Sequence, residues 1–197
     1  KLRRLNLSEI GQIAGRAGRY LDNGSFGKTG DCPKINAEEV ELLENHKFEE
    51  IKTLVWRNSN LNFNNASSLI KSLEERPNKD WLRRVHECED EKVLKHFLKD
   101  LSTHKISDNK QVLSLLWECC QIPDFVKKTY GNHLEVVSKV FGFLNRREGK
   151  VTNSYMKQQL SILNNLEGNV DSLSNRIANV RTWSYVSNKT NWVENQD

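Results

Sequence analysis

The residues of this chain that are best suited to chemistry lie in the short stretch Gln12–Arg19. Gln12, Arg16 and Arg19 follow one another at i, i+4 and i+7, so a helix would carry them as one polar stripe. A guanidinium keeps its proton and matches the geometry of phosphate oxygens. Such a stripe has the chemistry needed to stabilise negative charge on a phosphoryl group.

A short helix must position these side chains. Ser8 is a good N-cap, and we expect the helix to begin there. A second stripe at i, i+3, i+4 and i+7 is apolar, and we expect it to face a core; it consists of Ile10, Ile13, Ala14 and Ala17.

Three glycines, at positions 11, 15 and 18, form a third stripe of the same predicted helix. Each glycine inside a helix costs about 1 kcal/mol relative to alanine. A cost of this kind indicates that another surface approaches the helix backbone closely at these positions.

The pattern Q-x-x-G-R-x-G-R resembles motif VI of superfamily two helicases. The resemblance implies that Arg16 and Arg19 are catalytic and reach the γ-phosphate of ATP from a second RecA-like lobe. It also implies that Gln12 and Gly15 help to bind the nucleotide. The surface that approaches the three glycines would then consist of the nucleotide and the facing lobe. The P-loop lysine and the residues that bind Mg²⁺ belong to the first lobe in this type of helicase.

No P-loop is present in these 197 residues. Gly27-Lys28-Thr29 is similar to the end of one, but Asp22 stands where the pattern requires glycine. We expect Gly24–Gly30 to form a tight turn or a short hairpin instead. The chain is therefore expected to be the C-terminal portion of a longer enzyme and to be inactive by itself.

The composition is that of a globular chain, with 37% hydrophobic and 28% charged residues. No run of about 18 apolar residues occurs, so we expect no transmembrane helix and no membrane partner. No signal peptide is evident, and a net charge of +4 is too small to indicate nucleic-acid binding. The cysteines form no C-x-x-C pair, so no metal site is expected, and Cys119 and Cys120 read as core thiols.

After Pro33 the pattern becomes helical, and strand alternation is nearly absent. Asn36 and Glu39 form a capping box, and Asp108 is expected to cap a later helix. The last helix is marked by Val170, Leu173, Ile177 and Val180. The predicted fold class is mainly α, with the tail end of a RecA-like α/β lobe in residues 1–35 and a helical C-terminal domain in residues 36–197.

Several basic and aromatic residues in the helical part are candidates for contacts with RNA. The basic candidates are Arg146, Arg147, Lys150 and Arg176. Arg181 lies about 140° from Arg176 around a helix, so we expect it to bind a carboxylate inside the bundle. The aromatic side chains Trp183, Tyr185 and Trp192 could stack on bases, but packing between helices is the favoured interpretation.

A wider resemblance narrows the family to the DExH-type RNA helicase of the mitochondrial degradosome and its bacterial, α-proteobacterial-type relatives. Besides motif VI, it depends on segments 24–27, 73–77, 115–117, 122–125 and 176–185. It implies ATP-dependent unwinding of RNA, a single-stranded RNA partner enclosed with help from the helical domain, and an exoribonuclease partner in the mitochondrial members. The implied location is the bacterial cytoplasm, with the mitochondrial matrix as the alternative.

Two alternatives stay open at this point. The chain could be a non-catalytic helical scaffold or interaction module that keeps a vestigial motif VI. It could also belong to a DNA helicase, since no residue here distinguishes RNA from DNA. An intact P-loop and D-E-x-H box upstream in the same reading frame would favour the enzyme.

Overall fold

The computed structural model describes residues 3–18, 23–100, 109–127, 130–146, 149–161 and 170–194. These residues are mainly helical, which confirms the predicted fold class at that level. The chain divides into two compact units, unit 1 (residues 1–54) and unit 2 (residues 55–197). This division lies later than the expected boundary at residue 35, because the helix that follows Asn36 packs against the first helix.

Unit 1 contains two short helices, α1 (Leu7–Ala14) and α2 (Ala37–Glu44), and both begin with a capping box. The Asn36 and Glu39 box of α2 confirms the sequence prediction. In α1 the N-cap is Asn6 rather than Ser8. The Asn6 side chain accepts the backbone N–H of Glu9 at 2.9 Å, whereas Ser8 lies inside the helix and donates its hydroxyl to Asn6.

The packing of α1 on α2 depends on few side chains. Leu43 is the one hydrophobic side chain of unit 1 that is buried among the described residues. Arg4 donates to the Glu39 carboxylate at 2.6 Å, in an ion pair that joins the segment before α1 to α2. Exposed ion pairs contribute about 0–1 kcal/mol, so unit 1 is held together weakly.

Unit 2 is a helical assembly with one small sheet. In the sheet, β1 (Leu54–Trp56), which begins at the unit boundary, pairs with β2 (Leu82–Arg84). The helices are α3 (Ala66–Leu73), α4 (Glu89–Asp100), α5 (Lys110–Cys120), α6 (Tyr130–Leu144), α7 (Asn153–Ser161) and α8 (Val170–Ser187). Helix α5 packs between α4 and α6.

The start and end signals of these helices follow the sequence in most cases. Helices α3 and α5 end a few residues before Pro77 and Pro123, as predicted. Helix α5 is capped by Asn109, whose side chain accepts the backbone N–H groups of Gln111 and Val112. The expected cap, Asp108, lies outside the described residues.

One hydrophobic core lies at the centre of unit 2. Its buried members come from α3, α4, α5, α6 and α8, and from the segments around Ile122, Val151 and Trp192. Cys119, Cys120, Trp183 and Trp192 are all part of this core, which confirms the favoured interpretation of the cysteines and of the two tryptophans.

A buried carboxylate joins the small sheet to α4. Glu91 is only 1% exposed, and it accepts hydrogen bonds from Arg84 at 3.0 Å and lies 3.0 Å from the Lys95 ammonium. A buried carboxylate is tolerated only when it is paired in this way. Nearby, Arg57 binds Asp90 at 2.8 Å and stacks over the Trp117 ring.

The segment that contains α7 and α8 is tied together at its two ends. Val151 forms an isolated parallel bridge with Val193, and the backbone N–H of Val151 donates to the carbonyl of Trp192 at 2.7 Å. The carboxylate of Glu194 accepts the backbone N–H of Asn153 at 2.8 Å. The segment around Val193 is therefore anchored to the residues that precede α7.

Candidate nucleotide-binding site

The helix that carries the candidate motif is shorter than predicted. Helix α1 ends at Ala14, and Gly15 is its C-cap. The backbone N–H of Arg16 donates to the carbonyl of Ile13 at 3.2 Å, so the chain tightens into a turn. Gln12 therefore lies in the last turn of α1 and Arg16 in the turn beyond it, and the helical stripe predicted for Gln12, Arg16 and Arg19 does not form as such.

The side chains of Gln12 and Arg16 are exposed. Within the described residues, no hydrogen bond or ion pair engages either of them, so both are available to a ligand. Gly15 lies between them, and a Cβ atom there would lie 3.1 Å from the carbonyl oxygen of Gly11. Arg19, the second candidate arginine, lies outside the described residues.

The other arginines near α1 are engaged with carboxylates. Arg3 donates to Glu9 at 2.8 Å, and Arg4 donates to Glu39. The Arg3 guanidinium and then the backbone N–H of Asn6 lower the pKa of Glu9 to about 2. Arg16 therefore differs from Arg3 and Arg4, because no side chain in the described part of the chain neutralises its positive charge.

Gly11 is the point at which another surface approaches α1 most closely. A Cβ atom at this position would lie 2.6 Å from Cζ of Phe48, a distance that real side chains do not tolerate. His46, at a φ of 50°, turns the chain after α2 through the left-handed region, so that Phe48 follows shortly afterwards. The close surface at Gly11 is thus the protein's own Phe48, not a nucleotide as expected.

Gly24 is a second glycine that fixes the candidate motif. A Cβ atom there would lie 2.2 Å from the carbonyl carbon of Ala17 and 2.5 Å from the backbone nitrogen of Gly18. The chain therefore returns directly against the residues that follow Arg16. The presence of glycine is the only sequence signal for this contact, and nothing in the sequence indicates the role of Phe48.

The apolar side of α1 is not covered by the described residues. Ile13 is 62% exposed and Ala17 is exposed, which corrects the prediction that this stripe faces a core. Ile10, Ile13 and Ala14 instead line an open groove of about 330 Å³ together with Phe26 and Ile35. Since the neighbouring face of α1 meets Phe48, the isoleucine side is left open.

The false P-loop is neither a helix nor a strand. Residues 23–29 have no regular structure, and a turn follows at Gly30, whose φ is 54°. Lys28 donates to the carbonyl of Gly30 at 3.4 Å. The predicted turn is thus present at Gly30. The alternative, a short hairpin, does not form among the described residues of this segment.

The candidate RNA-binding residues lie on different elements. Arg146 follows the last turn of α6 and lies over the Phe143 ring at 5.5 Å, Lys150 is exposed after the same turn, and Arg176 lies within α8. Arg147 lies outside the described residues. The turn is tight, because the backbone N–H of Gly149 donates to the carbonyl of Arg146 at 2.9 Å.

Arg181 does not bind a carboxylate of any described residue, in contrast to the prediction. Its guanidinium lies 4.0 Å above the centre of the Phe125 ring, in a cation–π contact, and the side chain is exposed. The prediction failed because the helical wheel gives the direction of Arg181 but not the aromatic ring that follows Pro123.

The described residues contain no group of three or more histidine, cysteine or acidic side chains that could hold a metal ion. Burial raises the pKa of the Cys119 thiol to about 12 and also raises that of Cys120, so neither thiol is a ready metal ligand. None of the helices in the described part of the chain has the length and apolarity that a membrane span requires.

Comparisons of this chain with protein-family models, with curated proteins and with solved structures find no match. The candidate site is therefore defined by its own residues: an exposed Gln12 at the end of a capped helix and an exposed Arg16 that pairs with no described side chain, close to the contacts of Phe48 and Gly24.

Proposed function

We propose that this chain supplies motif VI of a superfamily two helicase together with the helical region behind it, as the C-terminal part of an ATP-dependent RNA helicase. The observation that carries the proposal is the Q-x-x-G-R-x-G-R spacing with an exposed Arg16 that no described carboxylate neutralises. An arginine without a carboxylate partner can form bidentate hydrogen bonds with a phosphate without first breaking an ion pair.

In this proposal, Arg16 and Arg19 stabilise the charge that spreads over the γ-phosphoryl oxygens during ATP hydrolysis. Arginines in this role are worth on the order of 10³ to 10⁵ in rate. Gln12 donates a hydrogen bond near the γ-phosphate or the attacking water, and Gly15 lets the backbone approach. Two close contacts, of Gly11 with Phe48 and of Gly24 with Ala17, help to position the motif.

The ATP and Mg²⁺ of such an enzyme are held mainly by the first lobe, which carries the P-loop and the acidic residues. Residues 1–35 are then the tail end of the second RecA-like lobe. The open groove beside Ile10 and Ile13 is the surface that the rest of this lobe would cover.

The helical region is proposed to contact single-stranded RNA through positive charge. Arg146 and Lys150 are exposed, and the sequence has a further basic residue, Arg147, between them. Contacts of this kind bind phosphates without regard to base, so they do not separate RNA from DNA. The assignment of RNA, and an exoribonuclease partner, both depend on the family resemblance.

The test measures ATP turnover by the full-length protein with Arg16→Ala, with single-stranded RNA or single-stranded DNA as the stimulating strand. We expect turnover to fall by about three orders of magnitude, whereas the affinity for ATP changes much less. Arg16→Lys keeps the charge but loses the two-pronged geometry, so it should also be impaired. The isolated 197 residues should show no hydrolysis.

The matched control is Arg83→Ala, which removes an exposed arginine of β2 and should leave turnover unchanged. Normal turnover in Arg16→Ala would show that this arginine has no catalytic role and would favour the scaffold alternative. Stimulation by DNA alone would assign the enzyme to the DNA helicases.

A further inference from the structure

Helix α8 has two apolar faces, and only one of them packs in the core. Thr182, Trp183 and Val186 face inward and are buried. The periodic residues that predicted this helix lie on the other side and are exposed: Val170 by 78%, Leu173 by 50%, Ile177 by 54% and Val180 by 47%. Sequence periodicity thus identified the helix through the face that is not in the core.

The exposed apolar face is flanked by an arginine on each side. At about 100° per residue, the four apolar side chains span an arc of about 80° along roughly three turns of α8. Arg176 lies about 40° beyond one edge of this arc and Arg181 about 20° beyond the other. A shallow depression of about 280 Å³ lies along this face, lined by Leu173, Ile177, Val180 and both arginines.

The position of Arg181 is fixed before any partner binds. Its guanidinium lies over the ring of Phe125, which follows Pro123 on a different segment. An arginine that is already ordered loses less entropy on binding than a free one does. The apolar face therefore has a positive charge at a defined place along its edge.

From this arrangement we infer that the exposed face of α8, formed by Val170, Leu173, Ile177 and Val180, is a docking surface for an acidic amphipathic helix of a partner protein. Aliphatic side chains of the partner pack between the four residues, and its carboxylates pair with Arg181. Recognition of this kind uses anchors at i, i+3 or i+4 and i+7. The inference does not depend on ATP chemistry in unit 1.

Charge argues against a second copy of the chain on this face, and the apolar side chains argue against a nucleic acid. A second copy of α8 would bring further arginines to the same edges, and Asp171, its one acidic residue, lies about 100° away from Val170. A nucleic acid would leave the four aliphatic side chains without apolar partners. An acidic helix satisfies both the apolar stripe and the positive charge of Arg181 at its edge.

The experiment uses a synthetic fluorescent peptide of about 14 residues, long enough for roughly four helical turns. Leucines at i, i+3, i+7 and i+10 are flanked by glutamates, and a second peptide has lysines in place of the glutamates. We expect the full 197-residue chain to bind the glutamate peptide at least about tenfold more tightly than the lysine peptide. Anisotropy titrations measure both affinities.

Ile177→Glu places a like charge in the docking surface and should weaken binding of the glutamate peptide at least about tenfold. Ser67→Glu adds the same charge to an exposed position of α3 and should have no effect. Arg181→Glu should reduce the preference for the glutamate peptide. This variant tests the charge contact separately from the apolar contact at Ile177. Circular dichroism checks that each variant keeps its helices.

Equal affinity for the two peptides, or binding that Ile177→Glu leaves unchanged, would overturn the inference. Binding to vesicles of anionic lipid instead of the peptide would assign the face to a membrane surface. Self-association that disappears in Ile177→Glu would assign it to a second copy of the chain.

Discussion

Unit 1 and unit 2 differ in what holds their functional side chains in place. In unit 2 the helices share one continuous hydrophobic core, and even a carboxylate, Glu91, is buried with its partners. In unit 1 the motif helix α1 has no buried residue, and two glycine contacts and a few ion pairs define its position. Unit 2 is thus stabilised by its own packing to a much greater extent than unit 1.

The difference suggests how the chemistry of the chain is distributed. Under the proposed function Arg16 must remain accessible to a phosphate, and it lies on a unit whose apolar side is open among the described residues. A brace or docking platform needs rigidity, and the core of unit 2 provides it. If this interpretation is correct, substitutions should damage stability in unit 2 and function in unit 1.

The largest contrast should appear in the reactivity of the cysteines. Cys32 in unit 1 is exposed, whereas Cys119 and Cys120 in unit 2 are buried. Burial raises the pKa of Cys119 from 9.0 to about 12, and only the thiolate reacts. At pH 8 we expect iodoacetamide to modify Cys32 about a thousandfold faster than Cys119, with mass spectrometry used to follow each site.

In denaturant the cysteines should react at similar rates, which separates burial from any intrinsic difference between the thiols. Rapid modification of Cys119 in the native chain would mean that the core of unit 2 opens readily, and the contrast between the units would then be lost.

The next largest effect concerns apolar side chains. Leu116 is fully buried in α5, so Leu116→Ala should lower the free energy of unfolding by about 2–5 kcal/mol. Ile13→Ala in unit 1 should change the free energy of opening of α1, followed by amide hydrogen exchange, by no more than about 0.5 kcal/mol. All five tryptophans lie in unit 2, so their fluorescence during urea denaturation reports on that unit.

Leu173→Ala makes the same chemical change as Leu116→Ala at an exposed position of unit 2, and it should be nearly neutral. A large loss for Leu173→Ala would show that the exposed face of α8 is already covered in the isolated chain.

The smallest effect tests equivalent caps in the two units. Asn36 caps α2 and Asn109 caps α5, and replacement of either by alanine should cost about 1 kcal/mol. Asn109→Ala should lower the stability reported by tryptophan fluorescence. Asn36→Ala should leave that signal unchanged and accelerate amide hydrogen exchange in α2 about fivefold. A shift of the tryptophan signal in Asn36→Ala would show that the units unfold together.

Helix existence could be predicted from the sequence because periodicity, capping residues and proline act locally. The Asn36 box and the ends of α3 and α5 are examples. The face that a helix buries is not local information. The apolar stripes of α1 and α8 both predicted helices correctly, yet Ile13 and Ile177 are exposed, because the neighbours that cover each helix lie on its other side.

The residues of the candidate site could be predicted from their types and spacing. The contacts that position them could not be predicted. Gln12, Gly15 and Arg16 were identified from spacing, but the end of α1 at Ala14 and the contact of Gly11 with Phe48 depend on residues distant in sequence. The strands β1 and β2 are three residues long, too short to show alternation. The catalytic and RNA-binding roles remain predictions.

The bridge between Val151 and Val193 closes a large loop in the chain. Its ends are about 40 residues apart, and joining them costs roughly 3 kcal/mol of chain entropy by the logarithmic rule for loop closure. The burial of Val151, Trp192 and Val193 must offset this cost. Residues 192–194 therefore hold the two ends of the α7–α8 segment together. A chain that ended before Trp192 would lose this bridge and the burial of Trp192 and Val193, and α8 would depend on its own core contacts through Trp183 and Val186.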